Sequence, residues 1–318
     1  MNLPFEMRSA TFISERAASG AHPFCIVCDH PLNGDPQVST EGVRLFRCSE
    51  CDTWSSHPRI DATLQATIHD LGDYFDHPYF KGRREMTKRI QVRCRELFER
   101  LGCAIDTHSL RGERLLDVGC DTGIFLKCAA RQFGIIPVGL DVASRAVAAS
   151  TSAGIETYQA TLEAAPEHLT GFRAITAIDV VEHVVDPAGF LRAVRSRLGP
   201  GGVVYLETPN SRSAVYWLGR MIGSVTGGRP RGVFNRLFPP QHIQYFTVQS
   251  FERLARQAGL EVVRIGTRIL PWTDISTSVP VRAAMSLIQT SDLLTGNEIL
   301  IWAVLRRPVS ARQESACN

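Results

Sequence analysis

The sequence predicts an α/β fold: a largely parallel sheet with helices on both faces, preceded by a small cysteine-rich module. Three observations carry this. From residue 111 to 308, short apolar runs alternate with amphipathic stretches, the pattern of consecutive βα units. The first run ends in an acid and a glycine-containing turn, Asp117 to Gly123, that opens into a helix. Residues 1–60 carry two CxxC pairs among Pro, Gly, Asp and Ser, with little helical periodicity. The chain therefore divides into a cysteine module (1–60), a helical lid or linker (61–110), a main α/β domain (111–308) with an insert at 211–245, and a polar tail (309–318).

The elements of the main domain follow in order. A first strand runs Arg114 to Val118, then the turn Gly119–Gly123 and a helix from Ile124 to Gln132. A second strand, Pro137 to Leu140, ends at Asp141 and precedes a helix at Ser144 to Ala153. A third short strand lies at Ile155 to Gln159. A fourth, Ala174 to Ile178, ends at Asp179. A helix at Pro187 to Arg197 leads to the turn Gly199–Gly202 and a fifth strand, Val203 to Glu207. A helix at Ser250 to Ala258, a sixth strand at Glu261 to Ile265 and a last strand at Glu298 to Leu305 complete the pattern. Ahead of them, Ile90, Leu97, Phe98 and Leu101 recur at helical spacing within Gly82 to Leu101, so one face of that helix packs on the sheet or covers a ligand.

Composition narrows the function classes. Of 318 residues, 44% are apolar and 21% charged, with a formal net charge of +3. These are ordinary values for a globular chain and lack the clustered basic signature of a dedicated nucleic-acid binder. Met1 to Gly20 carries Glu6, Arg8, Glu15 and Arg16 and does not read as a signal peptide. The longest apolar run, Ile299 to Leu305, is seven residues, too short to span a bilayer. The expected location is the reducing cytoplasm, where paired cysteines bind metal more often than they form disulfides.

Cys25-x2-Cys28 and Cys48-x2-Cys51 are separated by 19 residues, the spacing of a four-thiolate zinc site. Each pair folds as a knuckle presenting two sulfurs, and four thiolates close the coordination shell, so such a zinc is structural. Redox-active or incidental thiols are the alternatives. Cys94, Cys103, Cys120, Cys128 and Cys317 show no pairing pattern and read as ordinary thiols.

In LLDVGCDTGIFL, Leu115 to Leu126, the glycines allow close approach of a ligand to the backbone, and the helix behind offers unpaired N–H groups. Asp141 lies 22 residues past Gly119 at the end of the next strand, where a carboxylate grips a ribose diol in such sheets. NAD is disfavoured because GCDTG lacks the GxGxxG spacing.

With GLDVA (139–143), AIDVVEHVVDP (177–187), GPGGVVYLETPN (199–210) and PPQHIQYFTVQSFERLARQAGLEVV (239–263), this segment resembles class I S-adenosylmethionine-dependent methyltransferases, closest to the small-molecule group that includes ubiquinone-type O-methyltransferases. The resemblance covers roughly residues 75–308. It implies a Rossmann-like seven-stranded class I methyltransferase sheet with helices on both faces, plus the small N-terminal zinc ribbon. It implies that Asp117, Gly119, Cys120 and Gly123 cradle the methionyl part of S-adenosyl-L-methionine, that Asp141 holds the ribose, and that Val142, Thr161 and Leu162 flank the adenine. Asp179 would end the fourth strand beneath the sulfonium. The chain departs from the family pattern at Asp121, which replaces the middle glycine of the first motif; its carboxylate must point away from the cofactor. A zinc ribbon before this fold resembles a subgroup of sugar and natural-product C-methyltransferases, and also an RNA guanine methyltransferase subgroup.

The reaction expected is methyl transfer to an O, N or activated C of a small-molecule biosynthetic intermediate, free or carried on a sugar or a lipid. An RNA base methyltransferase, or a zinc-ribbon adaptor with a degenerate cofactor fold, are the rivals. Against RNA stand the mild charge and the absence of an Asn/Asp-Pro-Pro-Tyr/Phe motif. His183 and His242 are the candidate general bases, although Gln241 stands where the C-methyltransferases carry Glu. The aromatics Tyr74, Phe75, Tyr79 and Phe80 could lid the cofactor or pack the core. The insert, with Tyr216, Trp217, Met221, Ile222 and Phe234 among arginines that include Arg229 and Arg231, would meet an anionic or lipid-linked acceptor or form a homodimer contact. Gly223, Gly227 and Gly228 argue against a membrane-surface helix there.

Overall fold

Leu115, Leu116 and Val118 are all buried, so strand Arg114–Val118 faces packed layers on both sides, as a central parallel strand must. The computed structural model describes residues 24–40, 43–57, 88–229, 234, 237–239, 241–270 and 279–309. In chain order the strands are β1 Val38–Thr40, β2 Val43–Arg47, β3 Trp54–His57, β4 Arg114–Val118, β5 Ile136–Asp141, β6 Glu156–Gln159, β7 Phe172–Ile178, β8 Leu198–Pro209, β9 Gln244–Tyr245, β10 Glu261–Arg268 and β11 Leu300–Arg306. The helices are α1 Lys88–Leu101, α2 Ile124–Phe133, α3 Ser144–Ser152, α4 Pro187–Arg197, α5 Ala214–Thr226, α6 Val248–Gln257 and α7 Val279–Thr295.

Seven strands form one sheet in the order β10-β11-β8-β7-β4-β5-β6. β8, β7, β4, β5 and β6 pair in parallel, while β11 runs antiparallel to both β8 and β10. Successive side chains of β4 enter opposite layers. Leu116 joins the cluster with Leu191, Leu206 and Phe251, whereas Leu115 joins that of Leu97, Leu126 and Tyr205. In the second layer Phe98 of α1 stacks on Phe133 of α2, ring centroids 3.7 Å apart. Local chemistry sets the helix starts. Asp186 accepts the Gly189 N–H ahead of α4, whose first turn holds Pro187, and Thr247 and Ser250 form a reciprocal capping box on α6, each satisfying amides that a helix start leaves open.

The expected strands and helices of the main domain all form, with ends displaced by a few residues. The fifth strand differs most: it begins at Leu198 and absorbs the Gly199–Gly202 segment, because Phe172 pairs Leu198 and a register shift before Ala174 accommodates the extra residues. Three elements have no counterpart in the sequence expectation: α5 within the insert, α7 between the last two strands, and β9. The last is two residues long and completes a second sheet, β1-β2-β3-β9. The aromatics Tyr74, Phe75, Tyr79 and Phe80, the start of the helical zone, Arg231 and the tail from 310 lie outside the described residues. Among the described residues no helix is long and apolar enough to cross a membrane.

Candidate active site

The glycine turn after β4 is shaped by close approach. Gly119 and Gly123 both have positive φ, 73° and 72°. A Cβ on Gly119 would stand 2.7 Å from the Val180 side chain, and one on Gly123 would collide with Ile155 and Ser150. Asp121, between them, takes the left-handed conformation at φ 47°, which Asp tolerates better than most residues. Its N–H donates to Asp141 Oδ2 at 2.9 Å, and Ala143 N–H donates to Asp141 Oδ1 at 2.9 Å. Asp141 thus fastens the turn to the end of β5. Burial pushes its carboxyl up to about 6. Asp117, beneath the turn, accepts the Thr176 hydroxyl at 2.6 Å, and burial raises it to about 7. Cys120 is buried against Gly139. α2 starts at Gly123 with no side-chain cap, leaving first-turn amides for a ligand.

Further along the sheet edge, Val142 accepts Gln159 Nε2 through its carbonyl, Thr161 Oγ1 accepts Ala164 N–H at 3.3 Å, and Leu162 is buried in the core. At the end of β7, Asp179 has φ 56°, and its carboxylate lies 4.0 Å from Arg93 of α1. Arg93 also donates to Glu207 at 2.8 Å, and Arg268 grips both oxygens of Glu207 at 2.7 and 2.8 Å. Burial works against the Glu207 charge, yet Arg93 and Arg268 hold it down to about 2.

The two candidate histidines meet although 59 positions separate them. His183 ends the short 3-10 turn Val181–His183 after β7, and His242 lies just before β9. Their rings pack edge to face with centroids 4.6 Å apart. The main chain stitches the two segments: Ile243 N–H donates to Glu182 O at 3.0 Å, Gln244 Nε2 donates to Val184 O, and His183 Nδ1 pairs with Gln241 O at 2.9 Å. A carbonyl only accepts, so Nδ1 carries the proton and Nε2 keeps its lone pair. The holding group is the backbone carbonyl of Gln241, so the contact does not depend on which side chain stands there.

Glu182, within the AIDVVEHVVDP segment (177–187), joins the two histidines although its residue type alone does not single it out. It is fully buried; Oε2 accepts Thr208 Oγ1 at 2.9 Å and Oε1 has no partner. Burial raises its pKa well above the carboxylate range. The hydroxyl of Tyr245 and Oε1 of Gln244, both buried on β9, also lack a hydrogen bond. One donor atom from each of Glu182, His183 and His242 lies within 4.8 Å of the others. A DVVEHV segment directly after a parallel strand carries this signal, but its completion by Tyr245 depends on a distant loop.

The cysteines converge. Sγ of Cys25 and Cys51 are 3.3 Å apart, and Cys28 lies 3.5 Å from both Cys48 and Cys51. These distances are too long for disulfides and close to the tetrahedron edge of about 3.8 Å that metal–sulfur bonds of about 2.3 Å imply. The two knuckles share one design. Asp29 N–H donates to Cys25 O and Asp52 N–H to Cys48 O, each from an Asp at positive φ. The N–H of the first cysteine then donates to the fifth residue on, His30 O or Thr53 O. The second knuckle runs straight into β3, which pairs Trp54 with Tyr245 and Ser55 with Gln244 of β9. Asp52 accepts Arg47 at 2.7 Å and also Arg212, at the start of the insert. The cysteine module is thus built onto the loop that bears His242.

Residues 86–265 match the methyltransferase domain family profile. The chain belongs to that family. Among curated relatives, the methyltransferase is 31% identical over 166 residues to the ubiquinone biosynthesis O-methyltransferase of Chromobacterium violaceum and 30% identical over 164 residues to that of Pseudomonas aeruginosa. These matches take in 49% and 48% of this chain and 68% and 66%, about two thirds, of the relatives. The fold is shared with the crystal structure of the [4+2]-cyclase SpnF, with a TM-score of 0.54 at 16% identity over 79% of this chain and 98% of that one. It is shared too with Haemonchus contortus phosphoethanolamine N-methyltransferase 2 in complex with S-adenosyl-L-methionine, with a TM-score of 0.54 at 13% identity over 80% of this chain and 62% of that one. The sheet order and family together make this a class I S-adenosylmethionine-dependent methyltransferase.

Proposed function

We propose that this methyltransferase alkylates an oxygen of a small-molecule biosynthetic intermediate, with His242 as general base, and that Cys25, Cys28, Cys48 and Cys51 hold one structural zinc. The observation that carries the first part is the polar cluster beside the cofactor turn: two histidine rings 4.6 Å apart, flanked by Glu182 Oε1 and the Tyr245 hydroxyl, which are buried with no partner of their own. Buried polar atoms left unpaired cost free energy, and an acceptor bearing hydroxyls would satisfy them. The relatives named as O-methyltransferases support oxygen as the receiving atom. S-adenosyl-L-methionine supplies a methyl group on a positively charged sulfur. The chain's residues do the rest. Gly119, Gly123 and the open start of α2 admit the methionyl end, and Asp141 takes the ribose hydroxyls. Val142, Thr161 and Leu162 border the adenine position, and Asp179 faces the reacting end. His242 accepts the proton that the acceptor oxygen loses, and His183, pinned on Gln241 O, keeps the ring of His242 oriented. Most of the acceleration then comes from orientation, with the base adding about 10²–10⁴-fold.

The test is transfer of labelled methyl from S-adenosylmethionine to a panel of catechols, monophenols, amines and total RNA. Label in the phenolic pool at a rate lowered by His242→Gln supports the proposal. Label confined to RNA or to amines overturns it. One zinc per chain by metal analysis supports the ribbon, and its absence removes that part alone.

A further inference from the structure

The turn after β4 carries an acid where glycine would cost least. Asp121 stands at φ 47°, between Gly119 at 73° and Gly123 at 72°. A side chain in this left-handed region costs free energy that glycine escapes, and such outliers gather at ligand clamps and active sites. The backbone of the turn does not call for the side chain. The Asp121 N–H donates to Asp141 Oδ2 at 2.9 Å and the Gly123 N–H to Cys120 O at 2.9 Å, and glycine at 121 would leave both bonds in place. Asp121 also adds a third carboxylate to the turn. Burial is the main cause that lifts Asp117 to about 7 and Asp141 to about 6, and the charge of Asp121 raises both further. Like charges gathered in this way favour a cation among them. Asp121 is only partly buried, so a ligand in the turn can reach it.

The methionyl part of S-adenosyl-L-methionine ends in an ammonium and a carboxylate on one carbon. α2 begins at Gly123 with no side-chain cap, and its open first-turn amides suit the carboxylate. Thr122, between Asp121 and Gly123, adds a buried hydroxyl with no partner. The ammonium, on the same carbon, then needs an acid next to the start of α2. Three of the four acids nearby are engaged elsewhere. Asp141 receives the Asp121 and Ala143 amides and faces the ribose in the reading above. Asp117 is buried on the Thr176 hydroxyl. Asp179 lies at the reacting end, 4.0 Å from Arg93. Asp121, two residues before Gly123, is the fourth. An acid there repels the cofactor's carboxylate, as the sequence alone implies, but it attracts the ammonium beside it.

We propose that Asp121 recognises the α-ammonium of the cofactor, so that the turn reads the methionyl end as a zwitterion, with the carboxylate on the α2 amides and the ammonium on Asp121. The proposal rests on the functional reading above and deepens it. It makes position 121 a specificity residue, one that favours S-adenosyl compounds with a free amino group over those in which that group is absent or acylated.

The test is calorimetry on the full chain with two ligands: S-adenosylhomocysteine, and its analogue in which hydrogen replaces the α-amino group. The parent is expected to bind S-adenosylhomocysteine at least about tenfold more tightly than the analogue, as one charge-assisted hydrogen bond would give. Asp121→Asn, which tolerates the same φ, should remove most of that preference by weakening S-adenosylhomocysteine and leaving the analogue unchanged. Asp121→Gly, which relieves the backbone, should show the same pattern. Equal loss of both ligands in both variants would make Asp121 a structural residue of the turn and overturn the proposal. So would affinities untouched by either variant, or a parent that binds the two ligands alike. These outcomes leave the cofactor site standing, whereas a parent that binds neither ligand overturns the reading of the site and this inference with it.

Discussion

His183 is kept neutral by its surroundings: burial lowers its pKa to about 4. With Nδ1 bonded to Gln241 O it cannot rotate without breaking that bond, so it serves better as a fixed wall for His242 than as a proton carrier. His242→Gln is therefore expected to lower kcat by about 10²-fold or more, with affinity for S-adenosylhomocysteine unchanged by calorimetry. An equal loss in both would make His242 a structural residue. Asp141 is the contrasting case, because its two oxygens brace the glycine turn. Asp141→Ala should weaken S-adenosylhomocysteine at least about tenfold, in proportion to charge-assisted bonds of about 1.5–3 kcal/mol. Asp117 supplies a pH test. Its folded pKa of about 7 lies above its ordinary 3.8 because it is buried. The folded state thus prefers its protonated form, and that contribution to stability is complete below about pH 3.8 and lost as pH rises through 7. Asp117→Asn keeps an acceptor for Thr176 and cannot ionise. Its melting temperature minus that of the parent should climb between pH 5 and 8 in cofactor-free protein; a flat difference would show that Asp117 carries no such pH dependence.

At the scale of elements, the short pairing of β3 with β9 matters most. Trp54 opposite Tyr245 places the second cysteine knuckle within a few residues of His242. Trp54 and Tyr245 pack with centroids 6.1 Å apart, and Phe238 lies against both rings. Two strand residues pair too little backbone to order themselves; the knuckle and these aromatics supply the rest. Cys48→Ser, or stripping of metal by a chelator, is thus expected to raise the acceptor KM severalfold while cofactor affinity holds, since the knuckle runs into β3, which pairs with β9 beside His242, whereas the glycine turn is braced by Asp141. Equal loss of both affinities would mean that the module supports the whole fold. Asp52→Asn, which removes the charge between Arg47 and Arg212 but tolerates φ 60°, should cost only about 1 kcal/mol by denaturant melts, because both arginines are half exposed.

Across the molecule, Glu207 joins elements distant in sequence. It receives Arg93 from α1, Arg268 from β10 and the Tyr205 hydroxyl at 2.9 Å. Every lone pair has a donor nearby, which offsets the cost of burying the charge. Removing one side leaves two cations uncompensated, so Glu207→Ala is expected to destabilise by about 3–5 kcal/mol in urea unfolding. Arg93→Ala should do less to stability, because its side chain is partly exposed. It should still weaken cofactor binding, since Arg93 also stands 4.0 Å from Asp179.

The order of strands and helices was legible in the sequence because each is locally encoded. A strand buried on both faces reads as an apolar run, as in Arg114–Val118, and a helix announces itself by its cap, as Asp186–Pro187 does ahead of α4. The CxxC spacing, the glycine turn and Asp141 are equally local, and their chemistry follows from residue type and distance along the chain. What only the tertiary structure decided depends on long-range approach. The union of His183 with His242, the burial of Glu182, the bracket around Glu207, and β9 as an added strand of the cysteine module each join residues dozens of positions apart. Helix α5 was obscured for a related reason. Gly219 and Gly223 lower helix propensity when read alone, and only the packed Phe234 and Phe238 show why a side chain cannot stand there. Propensity and periodicity are properties of neighbouring residues, whereas a site is made by the approach of distant ones, which packing fixes.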